Sequence, residues 1–256
     1  MATSPYPHYA WALGHFEVLL AAFWYFKAYV TFKSAGYVWY YKASFLGAIV
    51  SYAIVCYKSL GPIRPDRYYI QRALADENVQ YFVMALLWWS SKPLPLALVP
   101  YFVFSLFHTL TFVRTNIVPL VFPPQQPAGA NGSASPASSQ SPIAKTIQTW
   151  VKNNYDAAMA IVARIELLIL LRAIIGIVTL QNSLLIPIAY AHFLRSRYYY
   201  SPFTRSAVHS ATILIEFYVN KEQTPPFIKK AYGNTKEFVI RWASTRLEPQ
   251  PAGQRR

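Results

Sequence analysis

The stretch ASFLGAIVSYAIVCY, residues 43–57, decides the class of this protein because it contains no charged residue. With its apolar neighbours it forms a segment over 37–60, and about 20 apolar residues in a helix cross a bilayer. Further apolar segments follow the same pattern, at residues 9–32, 79–90, 96–113, 157–180 and 184–194. The pattern predicts an all-α integral membrane protein with about three transmembrane or re-entrant helical hairpins and cytosolic amphipathic helices.

The composition excludes an ordinary soluble domain. Charged residues make up 13% of the chain, about half of the usual quarter. The net charge is +14, and the basic residues flank apolar segments, which favours contact with an anionic membrane surface over nucleic acid. The chain also holds 20 Tyr and 7 Trp, residue types that favour the headgroup zone. Tyr198, Tyr199 and Tyr200 stand at the end of an apolar hairpin, and we expect these three to form an interfacial belt and not to stack on single-stranded nucleic acid.

Proline-rich and glycine-rich breaks divide the chain. The loop GPIRPDR at 61–67 ends the second apolar segment, because two prolines and a glycine do not continue a helix. Residues 123–142 read PPQQPAGANGSASPASSQSP, a composition typical of disordered linkers. The predicted regions are an N-terminal membrane region with two hairpins (1–122), the linker (123–142), a C-terminal membrane hairpin region (143–200) and a basic cytosolic amphipathic tail (201–256).

The distribution of basic residues predicts the topology. The breaks within the three hairpins carry only Lys33 and Lys92, whereas the other connections and the tail carry most of the positive charge. Basic residues in short loops mark the cytosolic side, so both termini and the linker are expected in the cytosol. The segment 79–90 would be roughly 18 Å long against a hydrocarbon core of about 30 Å, which predicts a hairpin that penetrates the bilayer incompletely.

Two blocks of sequence resemble a known family. The first contains QRALADEN at 71–78, then Tyr81 and Pro95, then VPYFVFSLFH at 99–108. The second block contains Glu166, QNSLL at 181–185, Pro187, Tyr190, FLRSRY at 193–198, Pro202 and Arg205. In both blocks the order and the spacing of these residues agree with one family signature. Both blocks resemble the signature of the transmembrane-protein-thirty-three family, whose fungal members are pore membrane proteins of the endoplasmic reticulum and nuclear envelope.

The resemblance carries expectations that composition alone does not give. It implies residence in the endoplasmic reticulum membrane and in the nuclear envelope at nuclear pores. The partners it implies are curvature-forming hairpin proteins, nucleoporins and an import receptor. It also implies that the C-terminal segment contacts membrane through an amphipathic helix. The long linker at 123–142 departs from the family pattern.

The sequence offers little that would support catalysis or a cofactor. No two of its five histidines stand three or four residues apart, and Cys56 is the only cysteine, so we expect no metal site and no cofactor. His108 is the one candidate for a membrane-embedded enzyme. The favoured interpretation is a polar residue that bonds to a neighbouring helix.

Charged and polar residues interrupt the apolar segments and are candidates for an intramembrane site. They are Glu17, Lys27, His108, Arg164, Glu166 and Arg172. Such residues often mark the path of an ion or solute, which would make the protein a channel or transporter subunit. The favoured alternative is structural, with the charges pairing between helices or reaching the membrane surface.

The segment 227–246 sorts into two faces when its residues are placed at 100° steps. The predicted membrane-binding helix has an apolar arc with Phe227, Ile228, Ala231, Tyr232, Phe238, Val239 and Trp242, and basic residues outside it at Lys229, Lys230, Lys236 and Arg241. This pattern is typical of a helix that lies in the membrane surface. The alternative is a helix packed on the protein itself, an arrangement that we expect for the amphipathic stretch 203–219.

Together these observations predict a non-catalytic membrane protein that shapes or stabilises curved membrane and, by the resemblance, supports nuclear pore complex assembly or distribution. The two alternatives from other classes are the channel or transporter subunit and, less favoured, the membrane-embedded enzyme.

Overall fold

The computed structural model describes residues 6–64, 66–122 and 141–244, and every regular element in these ranges is helical. The helices are α1 Tyr6–Val30, α2 Val38–Leu60, α3 Arg67–Ala75, α4 Glu77–Ser90, α5 Pro95–Phe112, α6 Val118–Val121, α7 Pro142–Val178, α8 Leu185–Tyr200, α9 Pro202–Val219 and α10 Pro226–Ser244. A 3-10 turn, Ser34–Tyr37, precedes α2, and a π turn, Val113–Ile117, joins α5 to α6. The predicted all-α fold is confirmed for these ranges. Most of the predicted linker, 123–140, and the tail beyond 244 lie outside them.

Two helical stretches, Ser34–Leu60 and Pro95–Val121, are long and apolar enough to cross a bilayer by length and composition. Both coincide with segments that the sequence predicts to lie in the membrane. Helix α1 carries Glu17 and Lys27, and α7 carries Arg164, Glu166 and Arg172. Helices α1 and α7 are therefore less apolar than those two stretches.

Short polar side chains determine where several helices begin. The Asp66 carboxylate accepts a hydrogen bond from the backbone N–H of Tyr69 at 2.7 Å and starts α3. Asp76 does the same for α4, accepting from the backbone N–H of Asn78 at 2.8 Å. Ser201 caps α9 in the same way. Each cap satisfies backbone N–H groups that have no partner within the helix, so the loops turn at fixed residues.

Helices α1 and α2 pack closely because small residues meet at their contact. A Cβ on Gly14 would lie 2.6 Å from the carbonyl oxygen of Gly47, and a Cβ on Gly47 would lie 2.6 Å from that of Gly14. The Ser51 hydroxyl donates a hydrogen bond to the carbonyl oxygen of Trp11 at 3.0 Å. Small residues and hydroxyl groups at helix contacts stabilise membrane bundles through close van der Waals packing.

All three predicted hairpins contribute to one core. Helix α4 packs mainly against α2, and α5 packs against α1 and α7. The connection between α4 and α5 is short, but large rings separate the two helices: Tyr81 and Tyr101 meet edge to face at 5.8 Å. The fold is therefore a single helical bundle, in which α4 and α5 each pack more closely on another helix than on each other.

Several tyrosines lie in the core, although the residue type favours the headgroup zone of a membrane. The buried tyrosines of the core cluster are Tyr25, Tyr41, Tyr52, Tyr81, Tyr101 and Tyr190. Burial of tyrosine is tolerated where its hydroxyl finds a partner. The Tyr101 hydroxyl, for example, donates to the carbonyl oxygen of Tyr81 at 2.8 Å. The tyrosines at Tyr198, Tyr199 and Tyr200 are partly exposed, as a belt would require.

The C-terminal membrane region begins with one long helix. The amphipathic stretch 143–155 and the apolar stretch 157–180 form one unbroken helix, α7, because no proline or glycine separates them. Helix α7 then turns sharply into α8. Asn182 donates from its side chain to the carbonyl oxygen of Ala173 at 3.1 Å, and Arg172 donates to the side-chain oxygen of Gln181. These bonds fold the turn back onto the end of α7.

Candidate functional site

A buried ionic cluster joins α4, α7 and α8. Glu166 on α7 has no exposed surface and accepts a hydrogen bond from the Tyr81 hydroxyl at 2.6 Å. The Nε atom of Arg197, near the end of α8, lies 3.7 Å from a Glu166 carboxylate oxygen. Arg197 also forms an ion pair with Glu77 in the first turn of α4. One guanidinium group therefore bridges two carboxylates that belong to different helices.

Neighbouring polar contacts hold the ends of these helices in place. Asp76 caps α4 and also accepts from the Ser59 hydroxyl at 2.6 Å, which ties the start of α4 to the end of α2. One helical turn further along α4, the Gln80 side chain donates to the Ser196 hydroxyl of α8 at 2.7 Å. The first turn of α4 is thus fixed both to α2 and to α8.

A cavity of about 280 Å³ opens beside this cluster. It is lined by Tyr52, Glu77, Asn78, Tyr81, Phe104, His108, Tyr155, Met159, Arg197, Tyr200, Ser201, Pro202 and Phe203. Among the described residues, no group of three or more His, Cys, Asp or Glu side chains is arranged to hold a metal ion. Aromatic side chains and the Glu77–Arg197 ion pair form most of the cavity lining.

His108 belongs to an aromatic contact between α5 and α1. Its ring lies 4.6 Å from the ring of His15 and 5.3 Å from that of Trp11, measured between centroids. The Nδ1 atom of His15 is 3.0 Å from the Ser105 hydroxyl. Sequence spacing did not indicate that two histidines would meet. The ring of His108 thus contacts α1, whereas no hydrogen bond of its side chain to a neighbouring helix is found among the described residues.

The other candidate intramembrane charges lie in three kinds of surroundings. Arg172 is bonded to the turn after α7 through Gln181. Lys27 is exposed, and its ammonium group lies 4.7 Å from the centre of the Trp24 ring. Glu17 and Arg164 are both exposed, and within the described ranges no hydrogen bond or ion pair engages either one. The expected pairing between helices is thus absent for these two within those ranges.

The C-terminal helix α10 contacts the rest of the protein along one edge. Lys236 donates to the Glu216 carboxylate of α9 at 2.5 Å, and the Tyr232 hydroxyl donates to the same oxygen at 3.3 Å. The hydrogen bond from Lys236 lowers the pKa of the Glu216 carboxyl, and the same bond raises the pKa of Lys236. Near the C-terminal end of α10, the guanidinium group of Arg195 on α8 lies 5.2 Å from the centre of the Trp242 ring.

The large apolar side chains of α10 remain uncovered. Phe227 is 72% exposed and Phe238 is 69% exposed, and Ile228 and Val239 are exposed as well. On the helical projection these four side chains lie on the apolar arc, adjacent to the edge that holds Tyr232 and Lys236. Lys229, Lys230 and Arg241 are exposed outside the arc. The helix thus presents a free apolar strip flanked by basic groups.

Helix α9 is buried only in its first half. Thr204 and Ala207 are buried, whereas the second half exposes Ile213, Leu214 and Phe217. The second half contacts α10 through Glu216. The expectation that 203–219 packs on the protein therefore applies fully only to the first half.

Comparison of the sequence with known proteins shows the family of this chain. The chain matches the family described as "Transmembrane protein 33/Nucleoporin POM33" over residues 3–245. The chain belongs to this family. It is therefore an all-α integral membrane protein, as predicted.

Relatives in this family carry names that refer to pores and membranes. "Nucleoporin POM33" of Chaetomium thermophilum is 35% identical over 237 residues, covering 89% of this chain and 83% of the relative. "Tetra-spanning protein 1" of Schizosaccharomyces pombe is 30% identical, covering 93% and 84%. "Transmembrane protein 33" of Homo sapiens is 22% identical, covering 80% and 78%. No solved structure matches this chain.

The two blocks that resemble the family signature meet at the buried cluster. Asp76, Glu77 and Tyr81 come from the first block, and Glu166 and Arg197 come from the second. Of these residues, only Glu166 is predicted from the sequence to have a role of its own. The signal that could have found the others was their presence in the blocks, because the residues that form the cluster are far apart in sequence and follow no helical spacing.

Proposed function

We propose that this protein is a non-catalytic membrane protein of the endoplasmic reticulum and nuclear envelope that stabilises curved membrane, including the membrane at nuclear pores. Relatives named nucleoporin POM33 and pore membrane protein support the location. In this role the helical bundle anchors the chain, and α10 binds the cytosolic leaflet. The protein thereby supports nuclear pore complex assembly or distribution.

The observation that carries this proposal is the uncovered apolar strip of α10. Its exposed Phe227 and Phe238 have no protein surface to pack on in the described ranges, while Tyr232 and Lys236 hold the helix beside α9. An amphipathic helix with aromatic residues on one side and lysines on the other inserts at the boundary of headgroups and acyl chains. Basic residues add attraction to anionic lipid.

Short helices support a preference for curvature. Helix α4 has 14 residues and α8 has 16, which correspond to roughly 21 and 24 Å, less than the hydrocarbon core of about 30 Å. Near the turn between α7 and α8, Val178, Leu180 and Leu184 are strongly exposed, which suits a tip that ends inside the bilayer. Elements confined to the cytosolic leaflet enlarge its area relative to the lumenal leaflet, and this favours positive curvature.

Incomplete penetration predicts the accessibility of two hairpin ends. In a Cys56→Ser background, Lys92→Cys and Ser183→Cys should react slowly with a membrane-impermeant thiol reagent added to the lumenal side. Both positions are exposed on the protein surface, so slow reaction would reflect burial in lipid. Detergent should restore rapid labelling at both. Rapid lumenal labelling of both in intact membranes would show complete crossings and remove the support that short hairpins give to curvature.

The proposed partners follow from the family and from charge. They are anionic membrane lipid, curvature-forming hairpin proteins, nucleoporins and an import receptor, and nucleic acid is not among them. Both termini are proposed to be cytosolic, because that orientation places the basic tail on the leaflet that carries anionic lipid. The exposed basic residues Lys229 and Lys230 would then lie next to that leaflet and remain accessible to an import receptor.

The contacts of the intramembrane charges give less support to a channel or transporter. Glu166 is completely enclosed and bonded to Tyr81. Arg172 is engaged by the turn after α7. A solute path requires charged groups that face a continuous polar opening, whereas Glu166 joins α7 to α4 and Arg172 holds the following turn against the end of α7.

The test of the proposed function uses the full-length protein with Phe227→Asp and Phe238→Asp. The variant should remain an integral membrane protein, because its helical bundle is unchanged. It should lose enrichment at tubular reticulum and at nuclear pores, as measured by quantitative imaging of a fluorescent fusion, since the two largest apolar contacts of α10 with lipid are replaced by charges that anionic lipid repels. If its distribution equals that of the parent protein, binding of α10 to membrane does not determine where the protein acts.

A further inference from the structure

The cavity beside the buried ionic cluster has no part in the proposed function, which depends on α10. Its lining comes from α2, α4, α5, α7, α8 and α9. Its volume of about 280 Å³ is just below the range of about 300–1,000 Å³ that is usual for ligand cavities. The cavity is therefore large enough for a small group, such as the headgroup of a lipid, but not for a whole lipid molecule.

Aromatic side chains form much of the lining. Its Phe and Tyr members are Tyr52, Tyr81, Phe104, Tyr155, Tyr200 and Phe203. The ring of Tyr81 lies 5.8 Å from that of Tyr52 and 5.0 Å from that of Phe104, measured between centroids. Tyr155 and Tyr200 are exposed, so their rings are accessible from the cavity. The face of an aromatic ring carries partial negative charge and attracts cations, so this lining favours a positively charged ligand.

The charged side chains at the cavity also favour a cation. The side chain of Arg197 is only 8% exposed, whereas that of Glu77 is 53% exposed, so the carboxylate is the more accessible charge of the pair. Oxygen Oε1 of Glu77 contacts Arg197, and among the described residues no hydrogen bond to Oε2 is found. A second carboxylate, Glu166, lies 3.7 Å from Arg197. The guanidinium group is thus balanced by carboxylates and does not make the cavity positive.

The shape of the hydrogen-bonding groups selects the type of cation. A primary ammonium group has three N–H donors, each of which needs an acceptor when the group leaves water. A quaternary ammonium group has no N–H donor, and its methyl groups pack directly against aromatic faces. Aromatic rings beside one accessible carboxylate therefore suit a quaternary ammonium group, such as that of choline, better than a primary amine.

The position of the cavity in the fold indicates where such a group would come from. Glu77 begins α4, Tyr200 ends α8 and Pro202 begins α9, so the cavity lies at one end of the helical bundle. The exposed Tyr198 and Tyr199 lie beside it in sequence, and tyrosine favours the headgroup zone of a membrane. For an integral membrane protein, the choline compound nearest to such a cavity is phosphatidylcholine.

We propose that this cavity binds the choline headgroup of phosphatidylcholine. The trimethylammonium group lies against the rings of Tyr155, Tyr200 and Phe203, and the Glu77 carboxylate balances its charge. This site is separate from the apolar strip of α10, which is proposed to contact anionic lipid. The protein would therefore contact two classes of lipid through two different parts of its surface.

Competition among small ligands tests the chemistry of the site. Binding of tritium-labelled short-chain phosphatidylcholine is measured by scintillation proximity on the full-length protein in a maltoside detergent. Choline should compete at least about tenfold better than dimethylbutanol, which has the shape of choline without its charge, because attraction of a desolvated cation to aromatic rings is lost. Short-chain phosphatidylethanolamine should compete at least about tenfold less well than unlabelled short-chain phosphatidylcholine.

Each comparison can overturn the proposal. Equal competition by choline and dimethylbutanol would show that the cavity is only an apolar space. Equal competition by phosphatidylethanolamine and phosphatidylcholine would show that methylation of the ammonium group is not recognised. Free choline that binds as tightly as the short-chain lipid would assign the site to a soluble choline compound and would overturn the assignment to a lipid.

Substitutions in the lining place the binding site in this cavity. Glu77→Gln should weaken binding of the short-chain lipid at least about tenfold, because it removes the accessible negative charge. Tyr155→Leu with Phe203→Leu keeps apolar side chains but removes two rings, and this variant should also lose about tenfold in affinity. A folded variant of either kind that binds as tightly as the parent protein would overturn the proposal.

Matched controls remove the same groups outside the cavity. Glu17→Gln and Tyr57→Leu replace an exposed carboxylate and an exposed ring, and neither should change the affinity. Phe227→Asp with Phe238→Asp should also bind the short-chain lipid as the parent protein does, so failure of the proposed function of α10 and failure of this site are distinguishable. Thermal unfolding in detergent identifies the folded variants, and Tyr200→Leu replaces any lining variant that does not fold.

Discussion

Replacing Arg197 with methionine is expected to lower the free energy of unfolding by about 3–5 kcal/mol, the usual effect of removing one partner of a buried ion pair. Arg197 contacts two carboxylates, and Glu166 is the one with no access to solvent. Without the guanidinium group, Glu166 would retain only the hydrogen bond from the Tyr81 hydroxyl. Glu77, which is half exposed, would regain water and lose little.

Reversible thermal or denaturant unfolding in detergent, followed by tryptophan fluorescence, measures this loss. Arg164→Met is the matched control, since it removes the same group from the protein surface, and it should change the stability of the monomer by less than about 0.5 kcal/mol. Arg197→Met combined with Glu166→Leu should be more stable than Arg197→Met alone, because no buried carboxylate then lacks a cation. Equal stability of Arg197→Met and the parent protein would contradict a structural role for the cluster.

The positions of the helices could be predicted because the breaks between them are chemically distinct. The loop after α2 contains prolines and Gly61, whose φ of +75° suits glycine. Asp66 and Asp76 lie where α3 and α4 begin. The length of α7 has no such signal: 143–155 and 157–180 differ in polarity, but no proline or glycine stands between them, and the structure forms α7, Pro142–Val178, without a break.

The buried cluster could not be derived from spacing. Glu166 and Arg197 lie on different helices, and the sharp turn at 179–184 brings those helices together. A local rule such as pairing at three or four residues does not reach across that turn. The burial of the core tyrosines could not be derived from the sequence either, for a physical reason. Composition gives the number of phenol groups, whereas burial depends on a partner such as the carbonyl oxygen of Tyr81, which only tertiary structure supplies.

The two faces of α10 could be predicted from the sequence because amphipathicity is a local property. Which edge would contact the protein could not be predicted, since that depends on Glu216 of α9 and Arg195 of α8. Trp242 lies on the predicted apolar arc, yet it is engaged by Arg195, so replacing it would disturb a protein contact together with any lipid contact.

A peptide of residues 225–246 is expected to bind small vesicles that contain anionic lipid and to become helical as it binds. The peptide has no α9 to hold it, so binding depends on its own apolar arc and basic residues. Phe227→Asp with Phe238→Asp should abolish detectable binding. Full burial of each Phe contributes about 1.5–3 kcal/mol, so loss of both corresponds to more than a hundredfold in affinity, and the added carboxylates are repelled by the lipid headgroups.

Charge contributes separately from apolar burial, and salt distinguishes the two. Replacing Lys229, Lys230 and Lys236 with Gln should weaken binding more than tenfold on anionic vesicles, since each basic residue contributes about 1 kcal/mol there. The difference should nearly disappear on neutral vesicles and in 1 M salt, where the screening length is about 3 Å.

A control for the Phe variant places the same two negative charges on the polar side of the helix. Asn234→Asp with Ser244→Asp should weaken binding much less than Phe227→Asp with Phe238→Asp. Circular dichroism and vesicle flotation measure folding and binding together. A peptide that stays unfolded and unbound on small anionic vesicles would show that the exposed strip of α10 serves a protein partner, and the import receptor or a nucleoporin would then be the ligand to test.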